Sequence, residues 1–141
     1  MNPESMRECI FCSIINRTAP GYIVYEDART IAFLDIHPAS DGHTMVVPKV
    51  HGDTMRDIDS DDLTSVFETV KRVVRVIEEV FQTSVITIGI NHGEPGGVRH
   101  LHVHLIPRSA HDGKKVIQSL PGGSRARPLK EIYELLQSRF P

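Results

Sequence analysis

The chain has 141 residues, of which 40% are hydrophobic and 24% are charged, and its formal net charge at pH 7 is −2. These values are typical of a soluble globular domain with its own core, and they give no reason to expect a nucleic-acid or membrane partner. No apolar run approaches the roughly 20 residues of a membrane span. The polar N-terminus, residues 1–8, does not resemble a signal peptide, so we expect a cytoplasmic protein.

The first half of the chain predicts a short helix followed by three strands. Apolar residues at helical spacing predict a helix over 9–17, ended before Pro20 and Gly21. Residues 23–26 and 30–35 read as two strands joined by a tight turn, which makes a hairpin. Residues 36–42 are dense in turn formers and predict a loop. A third strand over 43–48 is closed by a proline, which cannot donate to a central ladder.

The second half predicts a long amphipathic helix and two more strands. The helix starts at Asp59 with a capping side chain and acids at the positive end of the dipole, and its apolar stripe continues to Phe81. Strands follow over 84–91 and 99–107, joined by a glycine-rich turn. Residues 109–128 predict a loop, and a short helix follows it. This order favours one α+β domain, with an antiparallel sheet of about five strands, a core over about 9–108 and a C-terminal extension over 109–141.

The only two cysteines, Cys9 and Cys12, lie in a Cys-Ile-Phe-Cys run. So short a spacing without a secretory signal favours metal ligation or a redox pair over a structural disulfide. The βαβ context expected of a redox motif does not surround it. Two thiolates supply half of a tetrahedral zinc site, so zinc and two inert thiols both stay open on these residues alone.

Three of the eight histidines, His100, His102 and His104, alternate with Leu101, Val103 and Leu105. Because successive side chains on a strand point to opposite faces, this alternation predicts three imidazoles in a row about 6–7 Å apart, over a strand whose other face is aliphatic. The glycine-rich turn that leads into the row favours an anion, since successive backbone N–H groups can approach it. Imidazole can act beside a phosphate as nucleophile, acid or donor without a metal.

The histidine row has the form of a known motif. Four further segments match other parts of the same known pattern, and they follow the order of that pattern along the chain. The sequence therefore resembles the histidine triad (HIT) family, which implies an antiparallel α+β fold, a homodimer and hydrolysis or transfer of a nucleoside monophosphoryl group. The segments that carry the resemblance are His100 to Ile106, Cys9 to Ile15, Phe33 to Ile36, Gly42 to His51, and Asn91 with Gly93.

The resemblance also implies roles for individual residues. His102 matches the nucleophile that forms a nucleotidyl-histidine intermediate, His104 matches the residue that contacts the phosphate, and His100 orients both. His43, on the third strand, matches a histidine that reaches the second ring nitrogen of the nucleophile and fixes its tautomer by a carbonyl-linked relay. Asp35 matches the carboxylate that binds the ribose hydroxyls, and Asn91 a polar residue near the phosphate. Apolar walls around the base are implied for Ile10, Phe11, Ile14, Phe33 and Ile36.

The same resemblance completes the possible zinc site. Family members with this cysteine spacing often bind a structural zinc through two further histidines, which correspond here to His51 and His100. A set of Cys9, Cys12, His51 and His100 is closed and leaves no water position, so the resemblance implies a structural zinc and no catalytic metal.

The chain departs from the family pattern directly before the triad. Family members usually have two further residues between the glycine-rich turn and the valine before the triad, and a hydroxyl there normally binds the phosphate. Here Gly96 and Gly97 lead straight into Val98, so these two residues are missing. We expect the backbone amides of Gly96, Gly97 and Val98, or else His92, to take over this contact. The leading interpretation is a purine nucleoside phosphoramidase. The alternatives are a dinucleoside polyphosphate hydrolase, a weakly active nucleotide-binding regulator, and a metal-dependent hydrolase that uses the histidine row directly.

Overall fold

The computed structural model describes residues 8–93, 97–110, 112–113, 116–120 and 126–141. Its helices are α1 (Ile10–Ile15), α2 (Ser60–Phe81) and α3 (Leu129–Gln137), and short 3-10 turns lie at Met55–Asp57 and Ile117–Ser119. Its strands are β1 (Ile23–Glu26), β2 (Thr30–Leu34), β3 (Thr44–Pro48), β4 (Ile86–Gly89) and β5 (Val103–Pro107). The strands form one antiparallel sheet in the order β1-β2-β3-β5-β4. The α+β class with a five-stranded antiparallel sheet is confirmed.

The two faces of the sheet carry different layers. On one face the apolar stripe of α2 packs against residues of three strands, the set being Val66, Val70, Val73, Ile77, Ala32, Val46, Val103 and Leu105. On the other face α1 packs against the alternate residues of β2 and β3, the set being Phe11, Cys12, Ile14, Ile31, Phe33, Met45 and Val47. Because side chains alternate along a strand, Val103 and Leu105 face α2 while His104, paired with Met45, faces α1.

The β1–β2 hairpin forms as predicted, and its turn is held by one carboxylate. Asp27 accepts hydrogen bonds from the backbone N–H groups of Arg29 (2.9 Å) and Thr30 (2.8 Å), which makes an Asx turn. The buried Thr30 hydroxyl lies 2.7 Å from that of Thr69 on α2. This contact ties the long helix to the sheet.

The last strand is shorter than predicted, because β5 begins at Val103 and not at Arg99. The N–H of Leu101 donates to the carbonyl of Gly52 at 2.7 Å, so the backbone over 100–102 leaves the ladder that β5 makes with β3 and β4. Strict alternation alone does not reveal this change of partner. The consequence is that His100 does not share the strand face of His104, and the predicted row of three equivalent imidazoles is wrong for its first member.

The C-terminal helix α3 exists within the predicted extension. Most of its apolar side chains are exposed, as the 83% exposure of Leu129 and the 59% exposure of Leu136 illustrate, while Ile132 is half-buried. Among the described residues, we find no helix with the length and apolarity that crossing a membrane requires.

Candidate active site and metal centre

Two cysteines and two histidines meet in a buried cluster between α1 and the segments that follow β3 and precede β5. Nδ1 of His100 lies 3.4 Å from Sγ of Cys9 and 3.5 Å from Sγ of Cys12, and Nδ1 of His51 lies 3.3 Å from Sγ of Cys12. All four residues are buried, and their ligand atoms lie within 4.8 Å of one another. A tetrahedral zinc ion with ordinary bond lengths places its ligand atoms about 3.3–3.8 Å apart, so the spacing fits such an ion.

The second nitrogen of each ring is consistent with metal ligation through the first. Nε2 of His100 donates to the carbonyl of Pro48 at 2.8 Å, which leaves Nδ1 with its lone pair toward the thiols. Nε2 of His51 is buried and has no hydrogen-bond partner among the described residues, although Oδ1 of Asp53 lies 3.4 Å away. A ligating histidine commonly turns its other N–H to a carboxylate in this way.

The buried Cys12 thiol stays protonated at neutral pH unless a cation stabilises its thiolate. Burial, and then the hydrogen bond and charge of the neighbouring Cys9, raise the pKa of Cys12 to about 12. A bound divalent cation reverses this preference, since a coordinating thiol is deprotonated outright. The donor set, the spacing and the burial therefore fit a structural metal.

A second cluster lies on the α1 face of the sheet and contains the other two triad histidines. Nδ1 of His102 lies 2.6 Å from the carbonyl oxygen of His100. Because a carbonyl only accepts, Nδ1 carries the proton and Nε2 of His102 carries the lone pair. The rings of His102 and His104 lie 4.9 Å apart, and the ring of Phe11 packs edge-on against His102 at 5.1 Å.

His43 contacts His104, not His102, which corrects one expectation from the sequence. Nε2 of His43 lies 2.9 Å from Nδ1 of His104, and Oδ2 of Asp35 lies 3.6 Å from the same Nε2. The partner of the His102 ring is the backbone of His100. His43 cannot take that place because it directly precedes β3, whose register sets Met45 opposite His104.

His43 and His104, the two histidines in contact in this cluster, are neutral near pH 7. Burial, and then the nearby His102 and His43 rings, lower the pKa of His104 to about 4, against an opposing effect of the Asp35 charge. Burial also lowers the pKa of His43, against an opposing effect of the Asp35 charge. These rings are thus hydrogen-bonding groups with one proton each.

The residues implied as apolar walls divide into two groups. Phe11, Ile14 and Phe33 are buried in the core under α1, and the rings of Phe11 and Phe33 meet edge to face at 5.1 Å. Ile10 and Ile36 are 48% and 71% exposed. Only the second pair is free to cover a ligand from the solvent side, while Phe11 reaches the site through its contact with His102.

A pocket of about 230 Å³ opens beside His102. Asn91, expected from the resemblance, and Gly97 and Val98, expected to replace the missing hydroxyl, line it, whereas Gly96 lies outside the described residues. The remaining lining residues are Asp53, Thr54, Ile90, His92, Gly93, Arg99, His100 and Leu101. Asp53 and Thr54 were not predicted from the sequence, although the position of Asp53 two residues after His51 is a signal that could have found one of them.

Comparison with known proteins places the chain in one family. The family model described as the HIT domain matches residues 16–111. An uncharacterised HIT-like protein of Methanocaldococcus jannaschii is 41% identical over 110 residues, covering 77% of this chain and 84% of the relative. An adenosine 5′-monophosphoramidase of Candida albicans is 34% identical over 110 residues, covering 74% of this chain and 72% of the relative. The protein belongs to the HIT family.

A solved structure supports the same conclusion for the fold. A zinc-bound histidine triad family protein from Mycobacterium smegmatis superimposes with a TM-score of 0.72 at 29% identity, and the match covers 94% of this chain and 93% of that one. The antiparallel α+β architecture expected from the resemblance is confirmed by this likeness.

Proposed function

We propose that the protein is a nucleoside phosphoramidase whose nucleophile is Nε2 of His102. The observation that carries this proposal is the 2.6 Å contact between Nδ1 of His102 and the carbonyl of His100. This contact fixes the tautomer and leaves an unprotonated nitrogen at the pocket without any external base. The name of the Candida albicans relative, an adenosine 5′-monophosphoramidase, supports the substrate class.

The reaction proceeds in two displacement steps at one phosphorus atom. Nε2 of His102 attacks the α-phosphorus, the P–N bond of the phosphoramidate breaks, and the leaving nitrogen takes a proton from solvent and departs as the amine. The product is a nucleotidyl-His102 intermediate. Water then attacks the same phosphorus, the bond to His102 breaks, and the nucleoside monophosphate leaves as its acid, which ionises.

The neighbouring groups have matching roles in this proposal. The remaining N–H of His104 donates to a phosphoryl oxygen, and the amides of Gly97 and Val98 together with Asn91 surround the phosphate from the pocket. Asp35 accepts from the ribose hydroxyls. Its Oδ1 is already oriented by the backbone N–H of His37 at 2.8 Å. The base lies against the apolar residues near α1, with Ile10 and Ile36 on its solvent side.

We propose that the Cys9, Cys12, His51 and His100 cluster holds a structural zinc. A zinc ion there would crosslink the N-terminal helix to the segments that follow β3 and precede β5. The complete ligand set would leave no position for a reacting water. Our proposed mechanism assigns no step to a metal. Equimolar zinc in protein purified without chelator is the expected result, and a metal-free protein with unchanged stability would argue against the site.

We also propose a homodimer that joins the two sheets through β4. This strand is at the edge of the sheet, so among the described residues one side of its backbone has no strand partner, and Ile88 in it and Val85 just before it are exposed. Ile88→Lys should convert a dimer to a monomer in light scattering. Val24→Lys on β1, the opposite edge strand, is the matched control and should leave the mass unchanged.

The test of the catalytic proposal is capture of the intermediate. Adenosine 5′-phosphoramidate is mixed with zinc-replete enzyme, quenched in alkali, and analysed for an adenylyl group on His102. Turnover that resists brief chelation while the fold persists is expected. Loss of turnover without loss of fold would favour the metal-dependent hydrolase, preferential cleavage of a dinucleoside polyphosphate would favour that alternative, and binding without an adduct would favour a regulator.

A further inference from the structure

The loop between β2 and β3, residues 36–42, is held as a closed unit over the second histidine cluster. The N–H of Asp35 donates to the carbonyl of His43 at 3.0 Å, and the N–H of His43 donates to the carbonyl of Ser40 at 3.1 Å. The Ser40 hydroxyl donates to the carbonyl of Pro107 at 2.7 Å, which ties the loop to the end of β5. The backbone of this loop therefore has a fixed position relative to the strand that carries His104.

One amide of the loop points at an imidazole. The N–H of Ala39 lies 3.0 Å from Nδ1 of His43. A backbone N–H can only donate, so Nδ1 of His43 must carry its lone pair. Since burial keeps this ring neutral near pH 7, as described above, its single proton lies on Nε2.

A second hydrogen bond, between His43 and His104, determines the tautomer of His104. Nε2 of His43 is 2.9 Å from Nδ1 of His104, and with the proton on the His43 side, Nδ1 of His104 is the acceptor. His104 is also neutral near pH 7, so its own proton lies on Nε2. Two imidazoles are thus aligned by one main-chain amide.

We propose that the Ala39 amide is a positioning group that sets the tautomers of His43 and His104, so that His104 presents Nε2–H, a donor, to the substrate. The catalytic consequence rests on the proposed function, because a neutral N–H donor favours a phosphoryl oxygen whereas a bare ring nitrogen repels it. The tautomer assignment itself rests on two contacts, from the Ala39 N–H to Nδ1 of His43 and from Nε2 of His43 to Nδ1 of His104, together with the burial that keeps both rings neutral. The Ala39 side chain is an exposed methyl group, so it contributes no polar group of its own.

The same amide bears on metal binding by this cluster. The ligand atoms of Asp35, His43 and His104 lie within 4.8 Å of one another, which is a spacing that could hold a cation. Binding a cation at Nε2 of His43 would require moving its proton to Nδ1, where it would meet the Ala39 N–H. The loop thereby favours a hydrogen-bonded chain of rings over a chelate.

The first test uses the wild-type protein in its zinc-replete form. Long-range ¹H–¹⁵N correlation of the imidazoles at pH 7 distinguishes a protonated Nδ1 from a protonated Nε2. We expect Nε2–H for His43 and His104, and Nδ1–H for His102. Nδ1–H on His43 would overturn the proposal, and this result does not depend on any activity or on the folding of a variant.

The second test removes the single hydrogen atom that the proposal invokes. Ala39 is replaced by lactic acid through nonsense suppression, so that an ester oxygen replaces the N–H and the side chain is unchanged. Alanine inserted by the same procedure is the control, and Ala39→Pro, which also lacks the N–H, is a second variant. We expect the ester protein to show a population with Nδ1–H on His43, and kcat for adenosine 5′-phosphoramidate to fall roughly ten- to a hundredfold.

The outcomes separate this inference from the proposed function. A His43 tautomer unchanged in both the ester and proline proteins would overturn the inference. A changed His43 tautomer with an unchanged kcat would overturn the catalytic part of the inference. If the wild type has the expected tautomers, the ester protein loses them, and neither hydrolyses the phosphoramidate, the tautomer control stands and the proposed function fails.

Discussion

His100 and His102 are two residues apart in the chain, yet they lie in environments with opposite chemistry. The ring of His100 is fully buried, donates from Nε2 to a carbonyl and directs Nδ1 at two thiols. The ring of His102 is partly exposed, donates from Nδ1 to a carbonyl, and has no hydrogen-bond partner at Nε2 within the part of the chain that the structure describes. The difference shows that the partner of one ring nitrogen determines which role is open to the other nitrogen: we propose metal ligation for His100 and nucleophilic attack for His102.

His100 connects the two regions directly. The His100 side chain belongs to the thiol cluster, while its carbonyl orients the ring of His102. The buried cluster is therefore connected to the ring of His102 through one backbone carbonyl. Experiments that disable one region while sparing the other test whether the two are as separate as their chemistry indicates.

The largest effect on turnover should come from a substitution of His102. His102→Ala removes the proposed nucleophile, so we expect kcat to fall by at least about 10³-fold. Zinc content and the unfolding midpoint should stay close to those of the wild type, because the thiol cluster is untouched. Steady-state turnover, metal analysis and urea unfolding provide the three measurements. Turnover within tenfold of the wild type would contradict the assignment of His102.

The next largest effect should come from the thiol cluster. Cys12→Ser removes one zinc ligand, and we expect zinc to be lost and the free energy of unfolding to fall by about 3 kcal/mol, the size of a typical ligand linkage. We also expect kcat to fall, since the His100 carbonyl loses its support. Equimolar zinc retained in this variant would show that Cys12 is not a ligand.

Acid should separate the regions further through His104. Its pKa in the folded protein, about 4, is below the ordinary 6.5, so between these values the unfolded chain binds more protons. Stability should therefore fall as the pH drops from 6.5 toward 4, by at most about 1.4 kcal/mol per pH unit for this ring. His104→Gln should flatten the curve of urea midpoint against pH. The exposed His37→Gln is the control, and equal curves for both variants would count against this prediction.

The smallest effect should come from a buried polar contact outside both clusters. Thr69→Val removes the partner of the Thr30 hydroxyl, which keeps a 3.1 Å bond to Asp27, so we expect a loss of about 1 kcal/mol. Thr64→Val on an exposed turn of the same helix is the matched control. Zinc content and kcat should not change in either variant, which would provide the baseline against which losses in Cys12→Ser are judged.

Much of the fold could be predicted from the chain alone. The apolar stripe after Asp59 predicts α2, and the turn formers around Asp27 predict the hairpin, because both depend on short-range periodicity and turn chemistry. The start of β5 could not, since the carbonyl of Gly52, which pairs with Leu101, belongs to a distant segment. The dimer, the zinc ion and the catalytic roles stay predictions.

The sequence by itself determined that three histidines alternate with aliphatic residues and that two cysteines precede them by some 90 positions. It thereby determined the family resemblance and the residues worth examining. Only the tertiary structure decided which nitrogen of each ring is engaged, that His43 meets His104, and that a main-chain amide at Ala39 lies above this pair. The physical reason is that a tautomer depends on the donor or acceptor a ring meets, and these partners come from segments far apart in the chain.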